Sequence, residues 1–176
     1  MSKKVLIIDT SILCVWLKVP GMETSGTKDS PITFDDVNSK IEAETKTGRT
    51  TFVLPIASII ETGNHITHIK RGDKKTSVIE FANILTDAAD EKSPWAAFSE
   101  QNSLWKPEKL KELAQNWSKN ALIGKGQSIG DASIVEVAKY YADKGFEVEI
   151  FTGDYGLKYY EPQKKSSLIP RRRQGK

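Results

Sequence analysis

The sequence predicts an α/β protein, a three-layer α/β/α sandwich on a mainly parallel sheet, and three observations carry that prediction. Residues 4–9, KVLIID, hold an apolar run, VLII, that does not alternate, the pattern of a strand buried on both faces. Further strand-like runs at 51–54 and 147–152 are set apart by long segments of helical periodicity. Successive strands therefore join through helical crossovers, which are right-handed in parallel sheets. The 176 residues suffice for one domain with a sizeable core, expected over 1–162 and followed by a basic tail at 163–176.

The elements follow in order. Residues 11–18 have the composition of a short helix that stops before Pro20-Gly21, and 22–31, rich in Gly, Ser, Thr and Asp, read as a loop. Thr33 is a favourable N-cap for a helix reaching Thr47, with Gly48 as its C-terminal stop. The strand at 51–54 ends at Pro55. Helices are expected over 56–70 and 75–89, the second with Val78, Phe81, Ala82, Leu85 and Ala89 on one face. Residues 91–106 look irregular and hold Trp95, Phe98 and Trp105. Pro107 suits the first turn of a helix to residue 120. Ser128 opens another to residue 144, with Gly145 behind it, and Leu168-Ile169 could close a short last strand.

Composition narrows the function classes. The single cysteine, Cys14, excludes an internal disulfide framework and fits a reducing, cytoplasmic setting. No run approaches the roughly 18 apolar residues of a membrane span. The lysines before VLIIDTSILCVWL superficially resemble a signal peptide, but Asp9 interrupts the apolar stretch. The net charge of +3 hides an asymmetry: without Lys164, Lys165, Arg171, Arg172, Arg173 and Lys176, 20 basic residues face 23 acidic ones. Such a tail can attract polyanions by counterion release, or simply solubilise a chain end.

In a parallel sheet of this kind, ligands meet the protein outside the carboxyl ends of the strands. Four carboxylates fall there. Asp9 ends the first strand and Glu61 lies early in the helix after the second. Asp131 opens the helix leading to the third strand, and Asp154 follows that strand. Each has an ordinary structural use. Asp9 can cap the next helix, Ser58 with Glu61 and Ser128 with Asp131 have capping-box spacing, and Asp154 suits a turn. Taken together they suggest more. Asp131 shares a helix face with Val135, Ala138 and Ala142, and Asp9 ends a wholly apolar run, so both stand at the rim of the core. Carboxylates crowded at such a rim repel one another unless a cation intervenes. A set of hard oxygen ligands suits Mg²⁺ or Mn²⁺.

Four segments, in order, resemble the PIN-domain nucleases: VLIIDTS, LPIASIIETGNHI, SIGDASIVEVAKYY and VEIFTGDYGL, spanning about 5–157. The resemblance implies an α/β/α sandwich with an acidic pocket and metal-dependent hydrolysis of phosphodiester bonds, usually in RNA. By position it implies Asp9, Glu61, Asp131 and Asp154 as the catalytic quartet, with Asp9, Asp131 and Asp154 holding Mg²⁺ or Mn²⁺. Thr10, Ser11 and Thr152 would support them by hydrogen bonding. Many small members resemble the VapC-type toxic ribonucleases, which implies an RNA substrate, an antitoxin protein and a homodimer as partners. The chain departs from that compact form: segments 18–48 and 92–127 are enlarged, and the family's third central strand is not evident.

The expected activity is therefore a metal-dependent endoribonuclease, and the alternative is a catalytically idle PIN-fold module that binds nucleic acid or protein. A phosphohydrolase of haloacid-dehalogenase type would need a second Asp where Ser11 stands. Lys70, Arg71, Lys74 and Lys75 are candidate nucleic-acid contacts, or a solvated helix end favourable to the helix dipole. His65 and His68 lack a third histidine and any H-E-x-x-H pattern, which argues against zinc. Trp95, Trp105 and Trp117 can stack on bases, though packing is the commoner use. Gly124-Lys125-Gly126 lacks the spacing of a phosphate-binding loop.

Overall fold

The computed structural model describes residues 3–122 and 126–163. The chain begins with β1 (Lys4–Ile8), α1 (Thr10–Trp16), a hairpin of β2 (Ser25–Thr27) and β3 (Ser30–Ile32), and α2 (Phe34–Thr47). It continues with β4 (Thr50–Val53), α3 (Ile56–Thr67), α4 (Lys75–Ala89), a 3-10 helix (Phe98–Trp105) and α5 (Pro107–Leu122). The last described elements are α6 (Ile129–Asp143), β5 (Glu147–Phe151) and α7 (Tyr155–Lys158).

β1 is the middle of a three-stranded parallel sheet in the order β4-β1-β5. Val5, Leu6, Ile7 and Ile8 are each 0% exposed, because the two faces of the strand enter different cores. Leu6 and Ile8 pack with Phe52, Phe151 and residues of α1 and α2. Val5 and Ile7 pack with Val53, Ile150 and the α6 residues Ile134, Val137 and Tyr141. That is why the sequence does not alternate. Each such side chain contributes about 1.5–3 kcal/mol on burial. Helices thus cover both faces of the sheet, an arrangement compatible with the expected three-layer sandwich.

Thr33 caps α2 through a reciprocal capping box with Asp36, and Gly48 closes it in the left-handed conformation. Residues 22–31 do not form a plain loop: their second half folds into the β2–β3 hairpin, joined by backbone pairing of short polar segments that carry no apolar signature. Residues 91–106 are also more ordered than expected. Phe52 donates its N–H to the Pro94 carbonyl at 2.7 Å, and Ala96 donates to the Phe52 carbonyl at 2.8 Å, a single parallel bridge on the outer edge of β4. It adds one residue's worth of a fourth strand. Gln101 Nε2 then donates to the Leu54 carbonyl at 3.2 Å and holds the 3-10 helix against the end of β4.

Trp95 packs edge-on to Phe52 and Trp117 donates from Nε1 to the Gln127 carbonyl, so both serve packing, while Trp105 is partly exposed. The basic tail from residue 164 onward, the strand expected at 168–169, and Gly124 and Lys125 lie outside the described residues.

Candidate functional site

The register of the sheet builds the site. Ile8 pairs with Phe151, and the Asp9 N–H donates to the Phe151 carbonyl at 3.1 Å, which sets Asp9 beside Thr152 at the carboxyl edge. Asp9 is only 5% exposed. Its Oδ2 accepts from Thr152 Oγ1 and from Ser11 Oγ, each at 2.8 Å, and from the Ser11 N–H at 3.4 Å. It therefore caps α1, and its position is fixed by two hydroxyls. The Gly153 N–H donates to Ser11 Oγ at 3.2 Å, tying the end of β5 to the start of α1.

Glu61 is the acid without a capping role. The N-cap of α3 is Pro55, and Ser58 is fully buried, its hydroxyl without a partner among the described residues. The capping-box expectation for Ser58 and Glu61 is thus incorrect: the helix starts three residues earlier than a Ser58 cap requires. Glu61 Oε2 instead accepts from Thr10 Oγ1 at 2.9 Å. Its other oxygen, Oε1, lies against Gly130, where any Cβ would overlap it. Gly130 directly precedes Asp131, so that contact brings α3 and the start of α6 together.

Asp131 completes a capping box with Ser128: its N–H donates to Ser128 Oγ at 2.9 Å and its Oδ2 accepts from the Ser128 N–H at 3.2 Å. Val135 and Ala138 on the same face are buried, as the spacing predicts. Burial pushes the Asp131 carboxyl above its usual range, and the charges of Asp9 and Asp154 push the same way against the Ser128 hydrogen bonds. Asp154 is exposed and caps α7, where the sequence suggested only a turn. Its Oδ1 accepts from Gly156 N–H at 2.6 Å and Leu157 N–H at 3.4 Å, and its own N–H donates to Thr152 Oγ1 at 2.9 Å.

One pattern unites the four. Each carboxylate commits a single oxygen to a hydrogen bond within the chain: Oδ2 of Asp9, Oε2 of Glu61, Oδ2 of Asp131 and Oδ1 of Asp154. The second oxygen of each has no hydrogen-bond partner among the described residues. No ion pair among them neutralises any of the four. The donor set is all oxygen, which fits a hard divalent cation. Among the described residues, however, no three His, Cys, Asp or Glu side chains are already arranged around a common ion position. Beneath the site, burial pushes the Cys14 thiol up to about 11, with the Asp9 and Glu61 charges adding to the effect. A thiol so placed stays protonated and inert.

The basic residues stand elsewhere. α3 ends at Thr67, so Lys70 and Arg71 lie in the connection beyond it, while Lys74 is the N-cap residue of α4 and Lys75 its first residue. For Lys74 and Lys75 the dipole at the start of α4 disfavours a cation, contrary to the expectation of a favourable helix end, whereas Lys70 and Arg71 follow the C-terminus of α3. Lys70 and Arg71 share with His65 and His68 a cavity of about 600 Å³ that none of the four acids lines.

Sequence reasoning missed Gly130 and Gly153. A Cβ on Gly153 would overlap Ser25 and come within 2.5 Å of the Gly26 nitrogen, so the hairpin is seated on this residue. The signal for Gly130 was present, because a glycine inside a helical turn costs stability unless something needs the space. Comparison with known proteins found no match: no family model, no curated protein and no solved structure corresponds to the chain.

Proposed function

We propose that the chain is a metal-dependent endoribonuclease of PIN type. The observation that carries the reading is the set of four carboxylates at the carboxyl edge of the parallel sheet, each with one oxygen anchored and, among the described residues, the other unpaired and no basic side chain paired with it. Asp9, Asp131 and Asp154 would hold Mg²⁺ or Mn²⁺, with Thr152 and Ser11 fixing Asp9. A bound divalent ion supplies Lewis acidity, lowering the pKa of water and offsetting phosphate charge. Glu61, oriented by Thr10, offers Oε1 as the acceptor that aligns an attacking water. The fourfold negative charge makes the site selective for cations first and phosphodiesters only through them. The reading extends to the toxin of a toxin–antitoxin pair, whose genetic signature is a short open reading frame immediately upstream.

A second reading, an idle PIN-fold module that binds nucleic acid or protein, is favoured by the lack of a pre-assembled three-ligand group among the described residues. One assay separates them. Purified protein is incubated with labelled single-stranded RNA and DNA in Mg²⁺, Mn²⁺ or EDTA, alongside Asp9→Asn and Asp131→Asn. We expect RNA cleavage that needs the metal and falls by about 100-fold or more in either variant. Cleavage that survives EDTA or either substitution overturns the metal quartet, and an inert wild-type chain leaves the binding module.

A further inference from the structure

Beside Asp154 lies a second, smaller cavity of about 200 Å³, walled by Gly26, Ser30 and Ile32 of the hairpin and by Gly153, Asp154 and Tyr155. It exists because the hairpin leans on Gly153, and so it belongs to the enlarged segment at 18–48 rather than to the sheet. Three features define what fits it. The volume suits one heterocycle rather than a whole cofactor. Tyr155 stands 66% exposed at its wall, a large apolar ring left in water directly after a site carboxylate. The cationic residue lining it, Lys158, is already committed: its Nζ donates to the Ile150 carbonyl at 3.0 Å and pairs with Glu161 at 2.7 Å. With no free cation among the described lining residues and Asp154 in the wall, the cavity repels a phosphate and accepts a flat neutral group.

We propose that this cavity takes one unstacked nucleobase of single-stranded RNA, stacked on Tyr155, next to the phosphate presented to the four acids. The inference rests on the nuclease reading for its substrate and adds the element that positions it. Stacking is tolerant of base identity, whereas the polar groups in the lining that can read a base edge include Ser30 Oγ, the second oxygen of Asp154 and the Gly153 carbonyl. The hairpin then acts as a recognition arm. It fixes which nucleotide is splayed out and hence which phosphodiester lies at the acidic edge.

The test compares the wild-type chain with Tyr155→Ala and Tyr155→Trp. Each is titrated, in Mn²⁺, with a fluorescently labelled ten-nucleotide single-stranded RNA and with the same backbone made of abasic residues, and RNA integrity is read on a gel. The wild type should prefer the base-bearing strand, and Tyr155→Ala should lose about 10-fold of that preference while Tyr155→Trp keeps it. Tyr155 is exposed, so neither variant threatens folding. Equal preference in wild type and Tyr155→Ala, or no preference in the wild type, overturns the proposal. Preference lost in Tyr155→Ala without any cleavage by the wild type keeps the stacking cavity and overturns the nuclease reading. Cleavage without base preference does the reverse.

Discussion

Two regions of the central sheet treat carboxylates in opposite ways. Midway along β5, Glu149 is met by Lys4 at 2.8 Å, Lys40 at 2.8 Å and Lys158 at 3.6 Å, and Lys4 also pairs with Glu44. Burial alone would raise the Glu149 carboxyl, but the hydrogen bonds from Lys4 and Lys40 outweigh it and bring it down to about 2. Toward the carboxyl end, Asp9, Glu61, Asp131 and Asp154 gather with hydroxyls and backbone N–H groups but, among the described residues, no ammonium, and Asp131 is pushed up instead. Among the described residues, lysines thus meet Glu149 and Glu44 but none meets the four acids at the carboxyl edge. A cluster left unneutralised in this way is open to a cation from solution, and adding a lysine there would close it.

The largest effect expected from this contrast is on melting temperature. An ion that binds only the folded acids stabilises by about 2.7 kcal/mol when present at about 100 times its Kd. For a chain of this size, that is about 5–10 °C. Differential scanning fluorimetry with increasing Mn²⁺ should show this rise in the wild type and little of it in Asp9→Asn. A wild-type curve indifferent to Mn²⁺ breaks the comparison at its functional end.

The structural end is probed by Glu149→Gln, which leaves Lys4 and Lys40 without their shared partner. Because Glu149 is only partly buried, solvent screening reduces the loss to about 1–2 kcal/mol at neutral pH. The sign with pH follows from the depressed carboxyl. Its contribution is complete above the ordinary value of 4.5 and is lost as pH falls toward about 2. Urea denaturation across that window should show the wild type converging on the variant. A gap that is constant with pH would mean the lysines do not hold the carboxylate.

How much of this was legible beforehand follows from what each feature depends on. β1 could be read because burial on both faces writes itself as an unbroken VLII. Thr33, Gly48 and the Ser128–Asp131 pair could be read because capping is local chemistry within four residues. The four acids could be ordered along the chain because a parallel sheet delivers every strand end to one edge. Features set by distant partners were not legible. The hairpin at 25–32 is held by backbone pairing and by the space above Gly153, neither of which leaves an apolar period. Glu61 looked like a capping residue because spacing cannot tell Thr10 from Ser58 as its partner. The bridge at Trp95 is a single residue pair, too short for any periodicity to register.

The smallest effect is the most discriminating, because its sign depends on the cation. Asp131→Asn preserves an oxygen that can accept from the Ser128 N–H, so the capping box survives in kind. What it removes is a charge that the fold disfavours. The Asp131 carboxyl is raised in the folded chain, so its protonated form carries extra stability at low pH, and that stability is lost as pH rises through the folded value. Without metal at neutral pH, the ionised wild type should therefore be no more stable than Asp131→Asn, the difference staying below about 1 kcal/mol because the group is only half-buried. As pH falls, the wild type should gain on the variant. With Mn²⁺ present the order should invert, since only the wild type keeps all three acids assigned to the ion. A carboxylate serving purely as a helix cap would leave wild type and variant in the same order in both conditions, so the inversion, read from paired urea curves with Mn²⁺ and with EDTA, separates a cap from a ligand at one residue.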